Sequence, residues 1–372
     1  MKKIKVLQII KSLGRGGAEM LLAELLPLHD RDRFEFNYVY FLPWKDQMVP
    51  ALLENRANVH CFKASNNIKI LTQYRHVISY VKEHGIDVIH AHLPWAGFLA
   101  RIVHFKTGVP VLYTEHNKQE RYHKITYWLN KLSFNYQSAV IAVSEDVASS
   151  IYDNLKPSIP VEVIVNGVNT NKFQRNEQRG LSVRKKYNIP EDATVVGTIA
   201  VFRFQKRLKE WLQVFSKAAE VNHSLYGVIV GDGPLKNELI EERKRLKLED
   251  KIVMPGLQTN TVDWFSAMDI YMMTSVFEGL PIALLEAMSC QCAILSTNAG
   301  GVKEVIHSGN EGLLVNVSDW SLMPELLEQL TADQKAVEKM GENARMRVVE
   351  SFSLENMVER IEARYLKAVN EK

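Results

Sequence analysis

Two glutamates, Glu278 and Glu286, carry the clearest chemical signal in the sequence. Gly279 and Pro281 lie between them and predict a loop that leads into a helix, which places Glu286 on the second turn of that helix. Because a helix start attracts anions, the pair suits a ligand that joins a diphosphate to sugar hydroxyls. Residue types alone favour a simpler interpretation, in which Glu278 is a favourable charge at the helix start and Glu286 is an ordinary surface residue.

Two cations follow a predicted strand that ends at Ala200. Arg203 and Lys206 stand between this strand and a helical stretch, where they could neutralise a diphosphate. A solvated surface loop explains the same residues equally well. Gly231 begins a tight turn after the next strand, which is a weak signal by itself.

Glycines also follow the first predicted strand. Gly16 and Gly17 precede an apolar helical stretch, so backbone amides there could approach a phosphate; a turn needed only for packing is the equal alternative. The dinucleotide-binding fingerprint is absent from the sequence, because Glu19 or Lys236 stands where its last glycine should be. This difference disfavours a dehydrogenase.

Three histidines end predicted strands, at the edge where open α/β sheets bind ligands. His116 is the foremost candidate for a functional role, although a lone histidine is more often structural. His90 and His92 have no cysteine or HExxH pattern beside them, which disfavours a zinc site. The sequence Asp30-Arg-Asp32 lies in a polar loop and is a weak candidate for metal binding.

Apolar strand-like runs alternate with helical stretches, as in parallel sheets covered on both faces. They form two series, 4–10, 36–41, 59–62, 88–90, 111–114, 139–143 and 161–165, then 195–200, 226–230, 252–254, 270–273, 293–296 and 312–315. The polar segment 169–180 predicts a linker between domains at 1–168 and 181–353. An amphipathic helix near 354–372 needs a surface on which to pack.

Composition narrows the class of protein. A length of 372 residues favours two domains, and 46 basic against 43 acidic residues disfavours nucleic-acid binding. Three cysteines without a CxxC pair predict no disulfide framework and fit the cytoplasm. No run of residues is long and apolar enough to predict a membrane span.

Together these motifs resemble those of the family 4 retaining glycosyltransferases, which have the GT-B fold. The resemblance spans nearly the whole chain and rests on an ordered series: Gly16-Gly-Ala-Glu19, Thr114-Glu-His116, Val143-Ser144, Val165-Asn-Gly-Val168, Gln205-Lys206, Gly231-Asp-Gly-Pro234, Glu278-Gly-Leu-Pro281, Glu286-Ala-Met288 and Asn298-Ala-Gly-Gly301 with Glu304. The resemblance implies two Rossmann-like α/β domains facing across a central cleft, with the final helix returning to the first domain. The two-domain layout predicts a hinge within 166–180.

The resemblance also implies roles for individual residues. His116 and Glu278 would contact the donor sugar, Lys206 the phosphates and Glu286 the ribose. The other substrate-binding positions would be Gly16, Gly17, Asn166, Gly231, Gly279, Leu280 and Pro281. The expected reaction moves a sugar from a nucleotide diphosphate, UDP first and GDP second, with retention of configuration and with neither metal nor cofactor.

One position departs from the family pattern. Ala200 and Val201 stand where the family commonly has glycine and arginine before its lysine. Arg203 is the candidate replacement, because the same loop could bring its guanidinium to the same anion.

The segment 118–137 mixes basic and aromatic residues, which suits the surface of an anionic membrane. A partly solvated helix with one face on the core is the equal alternative. The expected acceptor is a glycan or lipid-linked saccharide at the inner face of the cell membrane. Two other functions stay open, a nucleotide-sugar epimerase and a nucleotide-sugar-binding protein without turnover.

Overall fold

The computed structural model describes residues 3–371 and divides into two α/β units. Unit 1 comprises residues up to Asn166 and from Leu354 onward, and unit 2 comprises Gly167–Ser353. The structure therefore differs from the linker predicted at 169–180. Phe173 is buried at 2% exposure, Arg175 pairs with Asp269 at 3.1 Å, and residues 177–180 begin a helix. The segment is held by one buried ring and one ion pair, which produce no periodic apolar pattern, so its packing on unit 2 could not be predicted from the sequence.

Unit 1 is built on a seven-stranded parallel sheet in the order β3-β2-β1-β4-β5-β6-β7. Its strands are β1 (Ile4–Ile10), β2 (Phe34–Tyr40), β3 (Asn58–Cys61), β4 (Val88–His92), β5 (Val111–Glu115), β6 (Ala139–Ala142) and β7 (Val161–Val163). Its helices are α1 (Gly17–Leu25), α2 (Val49–Glu54), α3 (Asn67–Thr72), α4 (Tyr74–His84), α5 (Pro94–Thr107), α6 (Lys124–Ser133) and α7 (Glu145–Leu155). Helices cover both faces, so the central strands are buried along almost their whole length.

Unit 2 has a six-stranded parallel sheet in the order β10-β9-β8-β11-β12-β13. Its strands are β8 (Thr194–Ile199), β9 (Leu225–Val230), β10 (Ile252–Gly256), β11 (Ile270–Met273), β12 (Ala293–Thr297) and β13 (Gly312–Val315). Its helices are α8 (Glu177–Lys186), α9 (Leu208–Val221), α10 (Lys236–Arg245), α11 (Thr261–Ala267), α12 (Ile282–Ser289), α13 (Val302–Val305), α14 (Met323–Ala332) and α15 (Gln334–Ser351).

In each sheet the strand order reverses direction at one point, between β1 and β4 in unit 1 and between β8 and β11 in unit 2. The loops that leave the carboxyl ends of such strands diverge, and open α/β sheets bind ligands in the crevice between them. The topology therefore predicts that ligands bind at the loops after β1, β4, β8 and β11.

The last helix, α16 (Leu354–Asn370), packs on unit 1. Met357, Ile361 and Tyr365 are four residues apart, share one helix face and are at most 6% exposed. The Tyr365 hydroxyl accepts a hydrogen bond from Gln8 Nε2 of β1 at 2.9 Å, so the helix is also fixed by a polar contact. Across residues 3–371, none of the helices combines the length and apolar character that spanning a bilayer requires.

Candidate active-site residues

In unit 2, the loops after β8 and β11 bring a cation and a carboxylate together. Lys206 Nζ donates to Glu278 Oε1 at 2.6 Å, and the Ser275 hydroxyl donates to the same oxygen at 2.6 Å. The Lys206 and Glu278 side chains are 21% and 11% exposed, so both remain accessible to a ligand. The sequence placed these two residues in separate motifs, and the fold makes them neighbours.

Polar contacts fix the two loops to each other. Thr274 Oγ1 donates to the carbonyl oxygens of Lys206 and Arg207 at 3.1 and 2.9 Å. The backbone N–H of Val276 donates to the carbonyl oxygen of Gln205 at 2.8 Å. Because the backbone is held on both sides of the ion pair, the charges are oriented before any ligand binds.

Arg203 lies three residues before Lys206 and precedes a short 3-10 turn, Phe204–Lys206. Its side chain is exposed and, within residues 3–371, has no hydrogen-bond or ion-pair partner. Its carbonyl oxygen accepts the backbone N–H of Lys206 at 3.0 Å, so both cations belong to one tight turn. The guanidinium is therefore available to an anion, and its role stays a prediction.

Glu286 is the fifth residue of α12 and half-buried, on the second turn as predicted. Pro281 lies immediately before the helix, at the end of the predicted loop. Leu280 is buried at 5% exposure, and the carbonyl oxygen of Gly279 accepts the backbone N–H of Gly301 at 2.8 Å.

Gly231 and Gly300 are among the glycines of unit 2 at which another part of the backbone approaches closely. Gly231 has φ of +138°, and a Cβ there would lie 1.9 Å from the carbonyl oxygen of Ala200. Gly300 has φ of +64°, and a Cβ there would lie 2.0 Å from the carbonyl oxygen of Glu278. Gly300 thus shapes the loop that carries the key carboxylate, a role that the sequence analysis did not assign.

Asn298, just before this glycine, is a second residue without an assigned role. Its Oδ1 is buried and lacks a hydrogen-bond partner within the described chain. Such an atom is costly unless something satisfies it, which makes Asn298 a candidate ligand contact. The motif Asn298-Ala-Gly-Gly301 was the available signal.

In unit 1, His116 follows the carboxyl end of β5. Its Nε2 atom is buried and has no hydrogen-bond partner among residues 3–371. Burial lowers the pKa of His116 to about 4, so the ring is neutral at pH 7. A neutral imidazole with a free ring nitrogen can form one hydrogen bond with a ligand hydroxyl.

Glu115 holds the turn that carries His116. Its Oε1 accepts the backbone N–H groups of His116 and Asn117 at 3.0 and 3.2 Å and the Tyr122 hydroxyl. Its Oε2 accepts Gln119 Nε2 at 2.8 Å and the hydroxyl of the β5 tyrosine, Tyr113, at 3.0 Å. Burial raises the pKa of Glu115, and these hydrogen bonds act in the opposite direction.

The other two histidines belong to a buried polar cluster beside His116. His90 forms hydrogen bonds through both ring nitrogens, with the Tyr365 hydroxyl at 2.8 Å from Nδ1 and with Thr114 Oγ1 at 2.7 Å from Nε2. His92 Nε2 forms a hydrogen bond with Gln8 Oε1 at 2.8 Å. Burial lowers the pKa of His90 to about 3 and also lowers the pKa of His92. Among residues 3–371, no three histidine, cysteine or carboxylate side chains converge to hold a metal ion.

The glycine-rich loop has a more specific geometry than expected. Gly16 caps α1, Gly17 begins it, and the Glu19 carboxylate lies 2.2 Å from where a Gly16 Cβ would be. Ser12 Oγ donates to Glu19 Oε1 at 3.1 Å. The Glu19 carboxylate therefore occupies the space beside Gly16, where it would compete with an anion at this helix start.

Asn166, the last residue of the first segment of unit 1, is 5% exposed. Its Oδ1 is buried without a hydrogen-bond partner in the described part of the chain. The site residues predicted from sequence thus fall in both units, with His116, Gly16, Gly17 and Asn166 in unit 1 and the remaining eight in unit 2.

Two family models match this chain, "Glycosyltransferase Family 4" over residues 15–172 and "Glycosyl transferases group 1" over residues 182–347. N-acetyl-alpha-D-glucosaminyl L-malate synthase of Bacillus anthracis is 30% identical over 64% of this chain, a match that spans 61% of that relative, which is less than two thirds of its length. UDP-Gal:alpha-D-GlcNAc-diphosphoundecaprenol alpha-1,3-galactosyltransferase of Escherichia coli is 26% identical over 82% of each chain. The crystal structure of Anabaena Alr3699/HepE in complex with UDP and glucose superposes with a TM-score of 0.85 at 20% identity, covering 98% of this chain and 100% of that chain.

The chain therefore belongs to the family 4 glycosyltransferases. The predicted GT-B fold class is confirmed, since each unit is Rossmann-like with its own parallel sheet and the structural similarity covers nearly the whole chain. As a member of this family, the chain is a glycosyltransferase.

Proposed function

We propose that this protein transfers a sugar from a UDP-sugar to a lipid-linked saccharide, with retention of anomeric configuration and without a bound metal. The observation that carries the proposal is the Lys206–Glu278 pair at the strand-order reversal of unit 2. A cation and a carboxylate 2.6 Å apart suit a donor that carries a diphosphate next to sugar hydroxyls.

In the reaction, the bond between the anomeric carbon and the diphosphate oxygen breaks, and a bond to the acceptor hydroxyl oxygen forms. The hydroxyl proton passes to the departing diphosphate. Because negative charge grows on the diphosphate as the bond breaks, Lys206 and Arg203 stabilise the transition state more than the bound donor. Glu278 and the neutral His116 ring orient the sugar through its hydroxyls.

The choice of UDP draws on two similar proteins. The Escherichia coli relative is named for a UDP-linked donor, and the Anabaena structure holds UDP. The acceptor proposal draws on the same relative, whose name includes a diphosphoundecaprenol-linked sugar.

The surface of α6 supports an acceptor at a membrane. Ile125, Trp128, Leu129 and Leu132 are spaced along one helical face and are between 36% and 72% exposed, so this helix turns its apolar stripe outward. The helix contains no acidic residue and carries Lys124 and Lys131. An apolar stripe flanked by cations matches an anionic bilayer surface. With all three cysteines unpaired, the cytoplasmic face of the cell membrane is the proposed location.

The donor half is tested by a thermal-shift series with UDP-, GDP- and ADP-sugars in the presence of EDTA. A ligand that binds the folded state raises the melting temperature, and we expect selective stabilisation by a UDP-sugar. Mass spectrometry of products with a diphosphoprenyl-linked sugar as acceptor then separates glycosyl transfer from epimerised donor and from no reaction. Activity that disappears with EDTA and returns with a divalent cation would refute metal independence.

The membrane half is tested with vesicles that contain phosphatidylglycerol. The wild type should bind at low salt and dissociate as salt rises, because screening weakens attraction between charges. The double variant Trp128→Ser/Leu132→Ser should lose binding, whereas Ile68→Ser, which removes an equally exposed apolar residue of α3, should keep it. Equal binding by all three proteins would contradict an α6 contact.

A further inference from the structure

A buried chain of hydrogen bonds connects α6 to the backbone of His116. Asn130 Nδ2 donates to Gln119 Oε1 at 2.8 Å, and Gln119 Nε2 donates to Glu115 Oε2 at 2.8 Å. Glu115 Oε1 then accepts the backbone N–H of His116 at 3.0 Å. Asn130, Gln119 and Glu115 are each 0% exposed, so water does not compete for these bonds.

Polar contacts largely fix the position of α6. A helix that turns its apolar side chains to solvent cannot be anchored by burying them, and Asn130 is the buried residue of α6. Asn130 also accepts a hydrogen bond, from Arg101 Nη1 to its Oδ1 atom at 2.9 Å. Partly buried Tyr127 adds an apolar contact with the core. A shift of α6 therefore displaces the Asn130 amide and the hydrogen bonds that it makes.

We propose that Gln119 and Asn130 are positioning residues that tie His116 to the acceptor-side helix α6, so that the placement of this helix sets the placement of the imidazole. This inference rests on the proposed function, which assigns His116 to the donor sugar and α6 to the membrane. In a buried network, loss of one member leaves its partners unpaired, and the strain passes to the next bond. Here the next bond is the one between Glu115 and His116.

A second buried amide provides a matched control. Gln137 is 3% exposed and accepts Arg101 Nε at 2.9 Å, so it belongs to the same polar cluster but lies off the path to His116. The variants Gln119→Met and Gln137→Met both replace a buried amide by an apolar side chain of similar length. A role limited to stability predicts the same kind of effect from both.

The experiment measures kcat, the donor KM and the NMR resonance of the His116 ring in protein labelled with ¹³C-histidine, assigned with His116→Gln. We expect Gln119→Met to lower kcat by about ten- to a hundredfold, to shift the His116 resonance and to leave the donor KM unchanged. Gln137→Met should leave kcat and the resonance as in the wild type. If Gln119→Met does not fold, Asn130→Ala takes its place with the same expectations.

Two results would overturn the proposal. One is a His116 resonance that does not shift in the Gln119 or Asn130 variant. The other is a decrease in kcat in both methionine variants that follows the decrease in their melting temperatures. The NMR comparison needs no turnover. Failure of the proposed function, seen as a wild type that no UDP-sugar stabilises, is therefore distinguishable from failure of this inference.

Discussion

Lys206 Nζ lies 2.6 Å from Glu278 Oε1, so the side chain expected to meet the diphosphate is oriented by the side chain expected to meet the sugar. Ser275 holds the same carboxylate oxygen from the other side at 2.6 Å. A donor that binds here encounters two groups whose conformational freedom is already restricted, which reduces the entropy lost on binding. The two side chains are therefore held in place before the donor binds.

Lys206→Ala should lower kcat by about 10²–10³-fold, because it removes a charge aimed at the developing diphosphate anion. Steady-state kinetics with the donor that binds best is the measurement. Lys217→Ala removes an exposed lysine of α9 from the same unit and should leave kcat as in the wild type. A loss no greater in Lys206→Ala than in Lys217→Ala would remove Lys206 from the reaction.

The two glutamates should fail in different ways. Glu278→Gln should abolish the extra affinity that the sugar adds to UDP while leaving the affinity for UDP itself, whereas Glu286→Gln should weaken UDP through its ribose. Each lost charge-assisted hydrogen bond is worth about 1.5–3 kcal/mol. Isothermal titration with UDP and with the UDP-sugar measures all four affinities. The assignments would be reversed if Glu278→Gln reduced UDP affinity and Glu286→Gln did not.

Arg203→Ala should weaken the affinity for UDP by about tenfold, because a charge-assisted contact to the diphosphate is lost. Arg203→Lys should restore part of the affinity, since the charge returns without the forked geometry. Titration calorimetry provides the comparison. Unchanged affinity and turnover in Arg203→Ala would mean that this chain does not replace the family arginine from that position.

Gly300→Ala and Gly309→Ala separate steric contact from backbone strain. Both glycines have positive φ, but a Cβ on Gly309 has nothing within 4 Å, whereas one on Gly300 would lie 2.0 Å from the Glu278 carbonyl oxygen. Gly309→Ala should reduce the free energy of unfolding by about 1–2 kcal/mol and leave donor affinity unchanged. Gly300→Ala should cost more stability and also weaken the donor. Denaturant unfolding and titration with the UDP-sugar measure both effects.

Acid should destabilise unit 1 through its buried histidines. Burial lowers the pKa of His116 to about 4 and of His90 to about 3, whereas an unfolded histidine titrates near 6.5. The unfolded chain thus binds more protons below about pH 6.5, so the free energy of unfolding falls as pH decreases towards 4, by up to about 1.4 kcal/mol per pH unit and histidine.

Urea unfolding of the wild type and of His90→Asn between pH 7.5 and 4.5 measures this dependence. The variant should lose stability less steeply with falling pH. His76→Asn, which removes an exposed histidine of α4, is the matched control. Equal slopes in the wild type and His90→Asn would contradict a buried, neutral His90.

The sheets could be predicted closely from the sequence because parallel strands buried on both faces are plain apolar runs. Each expected strand is present, with ends shifted by no more than two residues. The pairing of Lys206 with Glu278 could not be predicted, because it depends on β8 and β11 being neighbours although about 70 residues separate them. Strand order is a property of the whole sheet and produces no local signal in the sequence.

Sequence reasoning was also limited wherever a contact depended on single side chains. The residues of 118–137 predict a basic and aromatic surface, but the side of α6 that faces solvent depends on Asn130 being the buried residue of that helix. The approach of a phosphate to Gly16 and Gly17 stays a prediction. The close contact of Gly300 with the carbonyl oxygen of Glu278 could not be predicted, because it joins two loops that are distant in the sequence.

The return of α16 to unit 1 has a consequence for synthesis of the chain. Unit 2 is contiguous from Gly167 to Ser353 and can complete its fold on the ribosome as soon as it emerges. Unit 1 is translated first, but its core also includes the apolar face of α16, which is made only after unit 2. We therefore expect the nascent amino-terminal half to expose part of its apolar core while unit 2 folds, and unit 1 to complete its fold after unit 2.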